Sequence, residues 1–232
     1  MKIYLIPTLL GNDDFERTIP KFNLKILESI RIFVVENEKS ARKFIKTVLP
    51  QKKQSELEIH LLDKNTTDSE LFELSKLFLR NENIGILSEA GLPAVADPGA
   101  RFVRLAHESN LQVVPLVGPS SILLALMASG MNGQQFAFHG YLPIEKMERK
   151  KAIQKLESDS HKNAVTQIFM ETPYRNNGLL EDLIRFCHTS TRICIAANLT
   201  MEDEFIATMT VKQWAQKKTD FHKKPAIFLL ES

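Results

Sequence analysis

Short apolar runs, too brief for helices and separated by stretches with helical spacing, constrain this chain more than any other feature of its sequence. Ile3 to Ile6 is ended by Pro7, and four residues cannot make a stable helix, so the run reads as a first strand. Ile32-Phe33-Val34-Val35 is a second, with Glu36 at its end; Glu58 to Leu62, Ile84 to Leu87 and Leu111 to Leu116 follow. Between them lie an amphipathic stretch at Leu24 to Ser29 and helical spacing over Ser40 to Leu49. Asp68 to Arg80 repeats apolar residues at helix spacing through Leu71, Leu74, Leu77 and Phe78, and Pro98 to Ser109 is a further helix candidate. This alternation predicts an α/β layer with parallel strand pairing.

Val117-Gly118-Pro119 interrupts the pattern, and Ser120 can cap the apolar helix that runs to about Ser129. A division into residues 1–116 and 117–232 is therefore expected. The second part reads as a strand at Gln135 to His139, a helix across a basic segment and a strand at Val165 to Met170. A helix at Asn176 to Cys187 and strands at Arg192 to Ala197 and Ala226 to Leu230 complete a second α/β domain. With 44% hydrophobic and 25% charged residues over 232 positions, a real core can form without disulfides. The two cysteines, Cys187 and Cys194, make no bridging framework. The apolar run at the N-terminus is too short for a signal peptide and no later stretch could span a bilayer, so a cytoplasmic location with no membrane association is expected.

Several chemistries lack their residues. The nine glycines never form a Gly-x-Gly triplet and no Walker-type loop is present, which disfavours phosphate cradles. The six histidines lack helical pairing and cysteine neighbours, so no metal is expected. Gly118-Pro119-Ser120-Ser121 is not a nucleophile elbow. Thirty basic residues against 28 acidic ones neither demand nor forbid a nucleic-acid partner. Local clusters do occur: Lys146, Arg149, Lys150, Lys151 and Lys155 in one, Lys217, Lys218, Lys223 and Lys224 in another. Solvated surface is the plainer explanation of such runs.

The most distinctive segment is Leu87-Ser88-Glu89-Ala90-Gly91-Leu92-Pro93-Ala94-Val95-Ala96-Asp97-Pro98-Gly99. Local physics accounts for much of it: Asp97 as a helix N-cap, Pro98 at the first helical position, Gly91 for a positive φ. The segment also resembles the Ser-Asp-Ala-Gly-Thr-Pro-x-x-x-Asp-Pro-Gly signature of the tetrapyrrole methylase superfamily, in particular its ribosomal RNA small-subunit methyltransferase I branch. Pro7-Thr8-Leu9-Leu10-Gly11-Asn12 is similar to that branch's Thr-Pro-x-Gly-Asn loop with one extra residue, and Val114 to Ser121 to its Pro-Gly-Pro-Ser motif. Gly140-Tyr141-Leu142-Pro143 followed by Arg149-Lys150-Lys151 resembles its Gly-Phe-Leu-Pro and basic helix, and Glu171-Thr172-Pro173-Tyr174-Arg175 its Glu-Ser-Pro-His-Arg. Asn198-Leu199-Thr200 and Glu202 to Phe205 fit as well, so the matches run through nearly the whole chain in order.

The resemblance implies two α/β domains with S-adenosylmethionine between them, usually in a homodimer, and cofactor turns that are not glycine-rich fingerprints. Carried over by motif, the implied cofactor contacts are Pro7, Glu89, Ala90, Gly91, Ser120, Ser121, Met170, Ala197 and Pro225. The implied acceptor is a cytidine of small-subunit ribosomal RNA, methylated at the ribose 2′ oxygen. Arg149, Lys150 and Lys151 would then meet phosphate, and Tyr141 or Tyr174 a base. Methyl transfer from a sulfonium needs alignment, exclusion of water and, for a hydroxyl acceptor, a base. Glu36 at a strand end, and Glu171 with Arg175 before a helix, are the candidates; an exposed loop acid and a structural ion pair are the plainer readings of the same residues.

The chain departs from the branch at Glu36-Asn37-Glu38-Lys39, where Glu-Asp-Thr-Arg is usual. It departs again at Leu62-Asp63-Lys64-Asn65-Thr66, which replaces a His-Glu-His-Asn-Glu motif, and at Glu89, which replaces aspartate. These positions bear on the acceptor more than on the methyl donor. A methyltransferase acting on a tetrapyrrole or another small molecule, and a non-catalytic S-adenosylmethionine-binding regulator, are the alternatives.

Overall fold

Every apolar run of the first half becomes a strand of one parallel sheet. A computed structural model describes residues 1–11 and 14–232, so Asn12 of the first loop motif lies outside the described residues. The described chain divides into two units, Met1–Ser120 and Ser121–Ser232. In the first, β1 (Lys2–Ile6) leads through α1 (Phe15–Thr18) and α2 (Lys21–Ser29) to β2 (Ile32–Val35), and α3 (Glu38–Val48) leads to β3 (Glu58–Leu61). Then come α4 (Asp68–Ser75), β4 (Ile84–Leu87), α5 (Gly99–Glu108) and β5 (Gln112–Pro115). The strand order is β3-β2-β4-β1-β5, all parallel.

The two-residue period of the strands sorts the core onto the two sheet faces. Tyr4, Ile6, Phe33 and Val35 pack on Leu27 of α2 and on Phe44 and Ile45 of α3. Ile3, Ile32, Val34, Ile84 and Ile86 pack on Leu71 of α4 and Phe102 and Ala106 of α5. Phe33 and Ile6 fill the space over Gly85, where an added Cβ would come within 2.9 Å of both side chains. Asn37 caps α3 by accepting from the Ser40 N–H at 3.1 Å, so the branch's aspartate is replaced here by another capping residue. The helix expected over Asp68 to Arg80 is divided. α4 starts on a Thr67/Glu70 capping box, and Lys76–Arg80 tightens into a 3₁₀ turn that buries Leu77 and closes on left-handed Asn81, φ 54°.

The second unit runs α6 (Ser121–Ser129), β6 (Phe136–Tyr141), α7 (Lys146–Asn163), β7 (Thr166–Met170), α8 (Asn176–Phe186) and β8 (Arg192–Ala197). It ends with β9 (Phe205–Thr210), α9 (Val211–Trp214) and β10 (Ala226–Glu231). Its sheet order is β6-β7-β10-β8-β9; β6 and β7 are parallel and the remaining pairs antiparallel. Phe169 stacks on Phe228 at 6.1 Å, and buried Trp214 donates its indole N–H to the Ile193 carbonyl at 2.9 Å. No helix among the described residues is long and apolar enough to cross a membrane.

Candidate active site

In an open parallel sheet, ligands bind beyond the carboxyl ends of strands, where connections leave neighbouring strands in opposite directions. Here that place is the β1/β4 pair: the chain leaves β1 toward β2 on one side and leaves β4 toward β5 on the other. The two most distinctive sequence motifs follow these two strands. Thr8 N–H donates to the Gly91 carbonyl at 2.9 Å, and the Ser88 hydroxyl donates to the same oxygen at 3.0 Å. The Thr8 hydroxyl reaches the Ser88 carbonyl at 3.3 Å. Gly91 has φ 75°, and a Cβ there would lie 3.0 Å from Leu10 Cδ2 and 3.2 Å from the Pro119 carbonyl oxygen. A Cβ on Gly118 would collide with the Pro7 ring. Glycine is thus required twice, where the turns after β1, β4 and β5 meet.

Non-glycine residues in left-handed conformations mark the same edge. Ala94 and Ala96, at φ 65° and 59°, precede Asp97, whose Oδ1 accepts from the Ala94 and Gly99 N–H groups at 2.9 and 2.6 Å. Beside these turns lies a depression of about 400 Å³ lined by Thr8 to Gly11, by Ser40, Lys43, Phe44 and Thr47 of α3, and by Glu89 and Ala90. That volume falls in the range of small-molecule sites. Ser40 donates its hydroxyl to Glu89 at 3.3 Å.

The edge is acidic. Burial raises the Glu36 carboxyl above its ordinary range, and the charges of Glu89, Asp97 and Asp63 raise it further while Lys64 opposes them. Burial also raises Asp97, against the two N–H groups that stabilise its charge. Asp63 behaves oppositely: the Asn65 N–H, with help from Thr66, holds it low. No group of three or more His, Cys, Asp or Glu side chains among the described residues could hold a metal ion.

In the second unit the sheet itself gathers the carried-over residues. Met170 ends β7 opposite Ile227 of β10, Ala197 ends β8 opposite Ala226, and the Pro225 carbonyl accepts from the Asn198 N–H at 2.9 Å. Asn198 and Thr200 are left-handed, φ 50° and 73°, the latter a rare state for a β-branched residue. Glu171 is buried, with Oε1 accepting from the Thr172 N–H at 2.6 Å and from Arg175 Nη2 at 2.5 Å. This carboxylate holds a cation in place and is closed to solvent. Ser120 is buried at the end of the first unit, and Ser121 opens α6 of the second.

The three basic candidates separate. Arg149 points inward, donating from Nε to Asp182 at 2.7 Å and from Nη1 to the Ile144 carbonyl at 2.9 Å. Lys150 Nζ sits 5.5 Å from the Phe186 ring centre, and Lys151 is exposed. Sequence reasoning missed Thr8 and Gly118 as turn-locking residues and saw Asp97 only as a cap. Their signals were present: a hydroxyl in the first loop motif, a glycine before Pro119, and an acid directly before Pro98-Gly99.

The tetrapyrrole (corrin/porphyrin) methylase family model matches residues 2–215. The chain is similar to ribosomal RNA small subunit methyltransferase I of Vibrio cholerae, 30% identical over 98% of this chain and 76% of that one. The protein of the same name from Escherichia coli O157:H7 is 26% identical over 99% and 77%. The crystal structure of the methyltransferase CobJ shares the fold, with a TM-score of 0.65 at 13% identity, covering 100% of this chain and 93% of that one. With its motifs in order along the matched length and its turns at the switch point of a parallel sheet, the chain belongs to the tetrapyrrole methylase family and is a methyltransferase.

Proposed function

We propose that the protein uses S-adenosylmethionine to methylate the ribose 2′ oxygen of a cytidine in small-subunit ribosomal RNA. The observation that carries this reading is the acidic, glycine-dependent edge beyond β1 and β4. It combines a crowded, positive-φ turn at Gly91 with carboxyls at Glu36 and Asp97 whose burial opposes their charge, and such carboxyls suit a donor bearing a sulfonium and an ammonium. The names carried by the relatives point to small-subunit ribosomal RNA, and the cytidine ribose follows from the motif resemblance. A carboxylate-bearing tetrapyrrole would meet like charge at this edge, which disfavours that alternative.

Within the first unit, Pro7, Glu89, Ala90, Gly91 and Ser120 are the residues we assign to the donor. When bound, S-adenosylmethionine supplies a methyl group already activated by its sulfonium. Glu36 holds the place of a base: a carboxyl whose affinity for protons is raised accepts one from a ribose hydroxyl more readily than an ordinary carboxylate. Within the second unit, Glu171 fixes Arg175, a cation suited to an anionic group of the acceptor. We extend the reading to a cytoplasmic homodimer, which light scattering on the eluting protein checks.

Calorimetric titration with S-adenosylmethionine tests the donor site. Wild type should bind at micromolar concentration and a Gly91→Trp variant should not, because a side chain there is strained by φ and crowded by Leu10 and Pro119. Absence of binding by the wild type would refute the assignment.

A further inference from the structure

The segment that carries the second basic cluster touches an aromatic side chain that the donor site does not use. Tyr174 is 69% exposed, and its ring meets His222 edge-on with centroids 5.7 Å apart. The segment carrying His222 is tied to the start of α8 by several bonds. Lys223 N–H donates to the Pro173 carbonyl at 2.9 Å, Phe221 N–H to Asn177 Oδ1 at 2.8 Å, and Asn176 Nδ2 to the Lys224 carbonyl at 2.7 Å. Asp220 Oδ1 accepts from Asn177 Nδ2 at 2.7 Å and from the His222 N–H at 2.9 Å. An exposed aromatic ring is thereby held in place before any partner arrives, which lowers the ordering cost of binding.

The segment that touches it is positively charged. Residues 217–224 contain four lysines and one aspartate. Lys217 lies against the Phe205 and Trp214 rings, and Lys224 stands 3.7 Å from Asp203. Lys218 and Lys223 have no carboxylate within ion-pair distance among the described residues. Pro225, next in sequence, joins the strand ends where Ala197 and Met170 lie. On α7, by contrast, Arg149 is already engaged by Asp182.

We propose that Tyr174, His222 and Lys223 form the platform on which a single-stranded segment of the acceptor RNA rests, a base stacking on Tyr174 and phosphates meeting Lys218 and Lys223. A braced aromatic face with flanking ammonium groups matches an unpaired nucleotide, whose base is accessible only outside a duplex. The inference rests on the RNA-acceptor reading above.

The test uses the full chain and undermodified small ribosomal subunits, measuring KM, kcat and filter retention against salt. Tyr174→Ala should raise KM and the dissociation constant by about fivefold to 150-fold with S-adenosylmethionine affinity unchanged, and Tyr174→Phe should restore most of the loss. Lys223→Glu should lessen the slope of log affinity against log salt by roughly 0.7 or more. Phe72→Ser, which alters an aromatic of similar exposure on α4, should behave as wild type. An active wild type with Tyr174→Ala at unchanged KM and retention overturns the platform alone. A wild type that binds the donor yet neither retains nor methylates the subunits overturns the RNA acceptor, and the platform with it.

Discussion

The two edges of the first sheet carry charge in opposite ways. At the amino edge, Arg31, Glu58, Arg80 and Glu82 alternate in sign. Arg31 lies 3.7 Å from Glu58 and 3.1 Å from Glu82, and Arg80 pairs with both acids. There the Arg80 hydrogen bond, with help from His60, holds Glu58 down at about 2. At the carboxyl edge, Glu36 faces three other acids and both it and Asp97 are pushed up. One edge is arranged for stability, while the other keeps carboxylates in an environment that opposes their charge, as functional sites do.

Substitution at Glu36 probes this difference most strongly. Glu36→Gln should lower methyl transfer by about 10²-fold to 10⁴-fold, the usual contribution of a positioned base, while raising Tm because a disfavoured charge is removed. A fall in both activity and Tm would place Glu36 among the structural acids. Glu58→Gln should do the reverse, lowering Tm by about 2–8 °C, for a loss of about 1–2 kcal/mol at a partly exposed site, with kcat unchanged.

The pH dependence is a smaller, sharper discriminator. Glu58 has a folded pKa of about 2 against 4.5 for the free group, so its stabilisation is present above 4.5 and is lost as pH falls toward 2. Glu36 has a raised folded pKa, so its ionised form costs stability above that value and the cost disappears as pH falls toward 4.5. The Tm gain of Glu36→Gln should therefore shrink on mild acidification, where the deficit of Glu58→Gln persists. Melting curves of both variants between pH 8 and pH 3, at roughly one-unit steps, check this.

The first unit was legible because its strands are short apolar runs bounded by Pro7, Glu36 and Ser88, and because β2 and β4, buried throughout, leave little ambiguity. β9 was not, since Phe-Ile-Ala-Thr-Met-Thr is half-buried throughout and shows no clean alternation on an edge strand. At the site, the positive φ at Gly91 was readable from residue type, whereas the packing of Gly118 on Pro7 was not. The inward turn of Arg149 was not, because its partner Asp182 is 33 residues away on α8 and no local pattern announces it. The burial of Glu171 was hidden for a similar reason: a carboxylate before a helix looks the same in sequence whether it faces solvent or holds Arg175.

If the carboxyl edge of this sheet serves methyl transfer to RNA, the product must carry the donor's methyl group on a ribose. Undermodified small subunits are incubated with radiolabelled S-adenosylmethionine and the label is mapped. Label should appear on one cytidine ribose with wild type and be nearly lost with Gly91→Trp and Glu36→Gln. Wild-type protein that binds the donor but leaves the RNA unlabelled, or an equally active Glu36→Gln variant, would contradict that role.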